Sequence, residues 1–86
     1  RLIAGTGTIN KKGVVGPIGG IEDKLIGAKR AGATLFIAPI DNCIDITHIP
    51  KGLQVVAVST LAQAVTLLKK PAQALAKLPT LSGCSN

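Results

Sequence analysis

The hydrophobic positions of the chain fall into short runs of strand length. Runs at 2–9 and 13–18 flank the polar turn Asn10-Lys11-Lys12, a pattern that predicts a β-hairpin in which Gly13 takes a positive φ. Two further apolar runs lie at 34–38, before a proline, and at 53–58. We expect the first to be a strand buried on both faces, with the second as its parallel neighbour.

Three helices are predicted, over 21–31, 61–68 and 72–78. The first has two acidic residues in its first turn and two basic residues in its last, as the helix dipole favours, and Gly32 suits its C-terminal cap. Ser59 or Thr60 is expected to cap the second helix, and Pro71 to begin the third. This order predicts an α/β fold, a β-hairpin followed by β-α-β-α units.

One lysine departs from the amphipathic pattern of the first helix. At about 100° per residue, Lys24 falls on the apolar arc that contains Ile21, Leu25 and Ala28, whereas the other charged residues lie outside it. The stem of Lys24 could lie on the core while its ammonium reaches water. Alternatively, a partly desolvated Lys24 near the positive end of the helix dipole could lose its proton and act as a base.

Composition and charge narrow the class of protein. The 86 residues, 47% hydrophobic and 1% aromatic, suit one small domain or part of a larger one with an aliphatic core. The net charge of +6 comes from scattered basic pairs without interleaved aromatics, so nucleic-acid binding is not expected. No run reaches the ~18 apolar residues of a membrane span. Because the chain begins with Arg1, we expect a fragment or a processed product whose membrane contact, if any, comes from an upstream anchor.

Cys43 and Cys84 are the two cysteines of the chain. They could be two buried thiols. However, Cys84 lies in a polar tail at 81–86, where burial is not expected, so we favour a disulfide that pins the tail to the domain. Such a bridge implies an oxidising compartment.

The remaining motifs carry little chemistry. Gly5-Thr-Gly-Thr-Ile-Asn10 begins like a dinucleotide fingerprint but lacks the third glycine and leads into a turn. The glycine-rich segment before the first helix lacks a following Gly-Lys-Ser/Thr, and the acidic residues there would repel a phosphate. His48 is the single histidine, so we expect no metal site and no cofactor. A base that activates a serine without a histidine fits Lys24.

The sequence resembles the C-terminal half of a Lon protease domain. The resemblance rests on Thr6-Gly-Thr-Ile9, on the run from Gly13 to Gly32 with its Pro-Ile-Gly-Gly-x-x-x-Lys and Arg-Ala-Gly segments, and on Phe36-Ile-Ala-Pro39 with Asn42. It covers about residues 3–68. It implies that 1–69 form the C-terminal part of the protease domain, with 70–86 as a helix and tail.

The resemblance also implies roles for individual residues. Lys24 matches the general base of a Ser-Lys dyad, and Thr6 matches the threonine whose hydroxyl orients that lysine. The family's nucleophilic serine lies upstream, in a Pro-Ser-Ala-Gly-like segment that these residues lack. The chain is thus expected to be a fragment of a Lon-like serine endopeptidase that acts on polypeptides and supplies the base without the nucleophile. The alternative is a non-catalytic, protease-like assembly or scaffold module.

Asn42-Cys43 and Cys84 are similar to the corresponding residues of secreted Lon-like peptidases of Gram-positive bacteria. That subgroup carries a PDZ domain, lacks the ATPase module and is membrane-anchored, which implies an extracytoplasmic location. Half a protease domain would expose apolar surface. We therefore expect the chain to associate with its own N-terminal protease half or to form a homo-oligomer.

Overall fold

The computed structural model describes residues 3–84; Leu2 of the first predicted strand and Ser85 and Asn86 of the tail lie outside this range. The chain order is β1 (Ile3–Gly5), β2 (Thr8–Ile9), β3 (Val15–Gly16), α1 (Ile21–Arg30), β4 (Leu35–Pro39), a 3-10 helix (Ile40–Asp45), β5 (Gln54–Val58), α2 (Leu61–Leu68) and α3 (Ala72–Ala76). Strands β1, β4 and β5 form one parallel sheet in that order, which confirms the α/β fold and the predicted pairing of β4 with β5.

The first predicted strand is two strands. β1 pairs in parallel with β4, whereas β2 pairs with β3 as an antiparallel hairpin, so the prediction of one strand over 2–9 is wrong. The chain divides at Gly7, whose φ of 146° is rare for residues with a side chain. A Cβ there would lie 2.9 Å from a methyl group of Val15. The hairpin itself is confirmed, with Gly13 at a φ of 78° in its turn.

Helix α1 begins and ends on glycine-dependent backbone. It starts after Gly20, which has a φ of 68°. It ends in a Schellman motif, in which the N–H of Ala33 donates to the carbonyl of Ala28 and that of Gly32 donates to Lys29. Gly32, at a φ of 94°, therefore takes the capping position that the sequence indicates.

The parallel sheet has an apolar core on each face. On one face, α1 packs Ile21 and Leu25 against Phe36 and Val55. On the other, α3 packs Leu75 against the neighbouring strand positions. All five residues of β4 are buried, as the continuous apolar run predicts.

The C-terminal segment covers the outer edge of β5. The N–H of Val55 donates to Thr80 Oγ1, and the N–H of Ala57 donates to the carbonyl of Ser82. Just beyond the strand, the N–H of Ser59 donates to Gln63 Oε1 of α2. The predicted disulfide between Cys43 and Cys84 is present, with a Cα–Cα distance of 5.6 Å. It ties this segment to the 3-10 helix.

Helix α2 has its predicted bounds but buries none of its residues. Its cap is Thr60, whose hydroxyl accepts from the N–H of Gln63. Helix α3 ends at Ala76, two residues before the predicted end, and Pro79, which restricts the residue before it, follows soon after. Large apolar side chains are exposed on α2 and the hairpin: Ile9, Val14, Leu61, Val65 and Leu68. Within residues 3–84, no helix has the length and apolar character needed to cross a membrane.

Candidate functional site

Lys24 lies one turn into α1, where its backbone N–H donates to the carbonyl of Gly20 at 3.2 Å. Its side chain is exposed, so the helix does not bury Lys24 with the rest of the apolar arc, and the described residues do not desolvate it. The helix buries a narrow stripe through Ile21 and Leu25. Lys24 lies on the flank beside it, about 60° around the axis from Ile21. On the same flank, a Cβ added to Gly20 or Gly27 would meet nothing within 4 Å, so the structure leaves this side of the helix open.

Thr6 directly follows β1 and is half-buried. Its backbone N–H donates to the carbonyl of Ile37 in β4 at 3.2 Å, which fixes it at the C-terminal end of the parallel sheet. An apolar cleft of about 180 Å³ adjoins it, between the sheet, the hairpin and α2. In the part of the chain that the structure describes, no hydrogen bond joins the Thr6 hydroxyl to Lys24. Their proposed partnership therefore stays a prediction.

Asn42 is the buried polar side chain that holds the approach to α1. Only 1% of its surface is exposed. Its Oδ1 accepts from the N–H of Ile18 at 2.9 Å, and its Nδ2 donates to the carbonyl of the same residue at 2.7 Å. Nδ2 also donates to an oxygen of Asp45 at 3.2 Å. The Asn42 amide thus binds both backbone groups of Ile18, as a neighbouring strand would. Ile18 lies two residues before Gly20, the N-cap of the helix.

Asn42 belongs to the residues that carry the family resemblance, but the sequence indicates no role for it. The available signal was its position, since it is a polar residue just after a strand that ends in proline. A side chain there can reach the backbone of a neighbouring segment at the sheet edge. The sequence does not indicate that the segment it reaches is the glycine-rich turn, because 24 residues separate the two partners.

Glu22 holds α1 from the outer side. One of its oxygens, Oε2, accepts from the backbone N–H of His48 at 2.7 Å, the backbone N–H of Thr47 at 2.8 Å and the hydroxyl of Thr47 at 3.0 Å. These bonds lower the pKa of Glu22 from its ordinary 4.5, the His48 N–H most strongly, because they favour the ionised carboxylate. His48 thus takes part through its backbone.

A polar cleft of about 450 Å³ surrounds the start of α1 and is lined by Gly19, Gly20, Asp23 and Asp45, among others. Among residues 3–84, no three His, Cys, Asp or Glu side chains are placed to hold a metal ion. The hydroxyl of Ser59 donates to Gln63 Oε1 at 3.0 Å, and among residues 3–84 no hydrogen bond joins a serine hydroxyl to Lys24. The described residues therefore present a lysine on a fixed helix without bringing a serine to it.

Comparison with known proteins agrees with the sequence pattern. Residues 1–71 match the family described as "Lon protease (S16) C-terminal proteolytic domain". The chain is 43% identical over 63 residues to the Lon protease of Clostridium beijerinckii, an alignment that covers 69% of the chain and 8% of the relative. It is 48% identical over 54 residues to Lon protease 1 of Bacillus subtilis (63% and 7%). With the Lon protease of Chloroflexus aggregans it shares 33% identity over 90 residues (100% and 10%). The chain thus spans about a tenth or less of the length of these relatives.

Proposed function

Because the chain belongs to the family of Lon protease C-terminal proteolytic domains, we propose that it supplies the general base, Lys24, of a serine peptidase that cleaves polypeptides. The observation that carries this is the position of Lys24. It stands on a helix that Asn42 and Glu22 hold from two sides, on a flank free to receive another part of the protein. The nucleophilic serine then comes from a segment that precedes Thr6.

The proposed chemistry is proton transfer by a lysine. Neutral Lys24 Nζ takes the proton from the serine hydroxyl as its oxygen attacks the peptide carbonyl, and then gives it to the leaving amine. Water attacks the resulting ester while Lys24 accepts its proton, and the proton returns to the serine oxygen. Thr6 contributes a hydroxyl that orients the amine. The described groups require no cofactor for these steps.

The proposed N-terminal half of the protease would also cover the exposed surface. The open flank at Lys24 and the apolar side chains of α2 and the hairpin are suited to burial against the N-terminal protease half or a further copy of the chain. Packing there would remove water from Lys24, which favours the neutral amine that the base requires.

We further propose that the parent protein is extracytoplasmic, anchored to the membrane by an upstream segment, and of the PDZ-containing, ATP-independent type. The disulfide between Cys43 and Cys84 supports this location, because such bridges persist in oxidising compartments. Thiol alkylation of intact cells with a membrane-impermeant reagent, before and after reduction, tests it. A chain found fully reduced in the cytoplasm would contradict the proposal.

The test of the catalytic role is Lys24→Ala in the full-length protein, assayed on an unfolded protein substrate. We expect cleavage to be lost, and Lys24→Arg, which keeps the charge but cannot supply a neutral amine, to be equally inactive. Lys29→Ala, on the same helix, is the control and should remain active. If Lys24→Ala still cleaves, Lys24 is not the base and the dyad proposal is wrong. A full-length protein without the Pro-Ser-Ala-Gly-like segment would favour the alternative, a non-catalytic assembly or scaffold module.

A further inference from the structure

We propose that Asn42 is a positioning residue for the base, an inference that rests on the proposed function of Lys24. Its side-chain amide, by holding Ile18, fixes the turn from which the lysine helix begins. Asn42 does not touch the reacting atoms. It acts on catalysis through the backbone that carries Lys24.

The geometry of the amide favours this role. Oδ1 and Nδ2 face the N–H and the carbonyl of one residue, at 2.9 and 2.7 Å, so both groups of the Ile18 backbone are bound at once. This pairing defines the orientation of the peptide and not only its distance. The carboxylate of Asp45 accepts from Nδ2 at 3.2 Å, which sets which end of the amide is the donor.

Between Ile18, which packs against the core, and the buried Ile21, the segment that Asn42 holds consists of two glycines. Gly19 and Gly20 separate Ile18 from the helix, and a Cβ on either would meet nothing within 4 Å. Gly20 takes a φ of 68°, and no side chain caps the helix at this end. Without Asn42, two flexible glycines would connect the hairpin to the helix, and the position of Lys24 would be less well defined.

The end of β4 joins the two predicted site residues. The carbonyl of Ile37 accepts from the N–H of Thr6, and five residues later Asn42 binds Ile18. The segments that carry Thr6 and Lys24 are therefore both hydrogen-bonded to β4 or to the 3-10 helix that directly follows it. A shift of the Ile18 turn would move Lys24 relative to Thr6 even if both side chains were intact.

The experiment compares Asn42→Ala and Asn42→Asp with wild type in the full-length protease, measuring kcat and KM for a peptide substrate. Asn42→Asp keeps the volume and the acceptor for the Ile18 N–H but sets a carboxylate oxygen against the Ile18 carbonyl and Asp45. We expect kcat to fall about 10- to 100-fold in both variants, with KM nearly unchanged, because a displaced catalytic group affects the chemical step. Hydrogen exchange at the Ile18 amide should accelerate in Asn42→Ala.

Gln54→Ala is the matched control, because Gln54 is a second side-chain amide that binds backbone, at Leu75 and Leu78, on the opposite end of the sheet. It should lower the melting temperature and leave kcat intact. The inference is overturned if Gln54→Ala lowers kcat as much as Asn42→Ala does, or if Asn42→Asp keeps wild-type kcat. A Lys24→Ala protein that still cleaves would overturn the proposed function itself, so the two failures are separate.

Discussion

Glu22 and His48 are joined by a hydrogen bond of 2.7 Å between the Glu22 carboxylate and the His48 backbone N–H, across 26 residues of sequence. This bond holds the outer side of the first turn of α1 to the loop that follows the 3-10 helix. Asn42 holds the preceding turn from the buried side. The start of the helix that carries Lys24 is thus held twice, by the Asn42 side chain and by the bonds that its own Glu22 accepts from residues 47 and 48.

The bond predicts a specific pH dependence of stability. Because the pKa of Glu22 in the folded chain is lowered below its ordinary 4.5, the ionised carboxylate stabilises the fold above that pH, and this contribution is lost as pH falls through the lower, folded value. Urea unfolding at pH 7 and at about pH 3 should show that the free energy of unfolding decreases less for Glu22→Gln than for wild type. Equal losses of stability between pH 7 and pH 3 in the two proteins would refute the prediction.

The disulfide is expected to contribute strongly to stability. Cys43 and Cys84 are 41 residues apart, and the loop-entropy relation gives about 4 kcal/mol for a loop of that length. Replacing both cysteines by serine should lower the free energy of unfolding by about this amount, measured with guanidinium. Adding a dithiol reductant should destabilise wild type and leave the double variant unchanged. A reductant effect on the double variant would show that another process is being measured.

The core beneath the lysine helix depends on Leu25, whose side chain has no exposed surface. Leu25→Ala should cost about 2 to 5 kcal/mol in unfolding free energy, because it removes buried methyl groups and leaves a cavity. Leu68→Ala is the matched control, since half of Leu68 is exposed. It should change stability by about 0.5 kcal/mol or less in this chain. Equal losses would mean that α1 does not pack as described.

The open flank at Lys24 predicts that one glycine can be replaced without cost. A methyl group at Gly27 meets nothing within 4 Å, so Gly27→Ala should stabilise this chain by up to about 1 kcal/mol through helix propensity. Gly52→Ala should do the reverse, because Gly52 has a φ of 86°, a backbone conformation that is strained for alanine. Thermal unfolding of both variants checks the pair. Destabilisation by Gly27→Ala would show that the flank is occupied.

The role of Thr6 can be tested through its hydroxyl. Thr6→Val keeps the shape of the side chain and removes the oxygen, so the full-length protease should lose about 10- to 100-fold in kcat if that oxygen orients the lysine. Thr6→Ser keeps the hydroxyl and should retain most of the activity. A Thr6→Val enzyme with normal kcat would leave Thr6 with its structural role alone, the backbone bond to Ile37.

Much of the fold follows from local pattern. The bounds of α2, the parallel pairing of β4 with β5 and the capping glycine at 32 were all predictable. They depend, respectively, on hydrophobic period, on the order of the elements along the chain and on a glycine in a left-handed conformation. The division of the first strand was not. Residues 2–9 contain no proline or charged residue to mark a break, and the strand divides because β1 pairs with β4 whereas β2 pairs with β3.

The site was less predictable than the fold. Helical geometry placed Lys24 on an apolar arc, but which part of that arc is buried depends on the segments that pack against it. In this chain, Ile21 and Leu25 are buried and Lys24 is not. Asn42 and Glu22 act through backbone groups far away in sequence, so no local pattern reveals their partners. The disulfide was predictable, because the chain has two cysteines and one of them lies in a polar tail where burial as a free thiol is not expected.

The segment that covers β5 has a consequence for how the chain behaves when its disulfide is reduced. An edge strand with free N–H groups can recruit another strand and seed aggregation. Here the donors at Val55 and Ala57 are already engaged by Thr80 and Ser82, and the bridge at Cys84 keeps those acceptors in place. The disulfide therefore protects this edge of the sheet against pairing with a strand of another chain. Its loss would expose backbone N–H groups that favour aggregation.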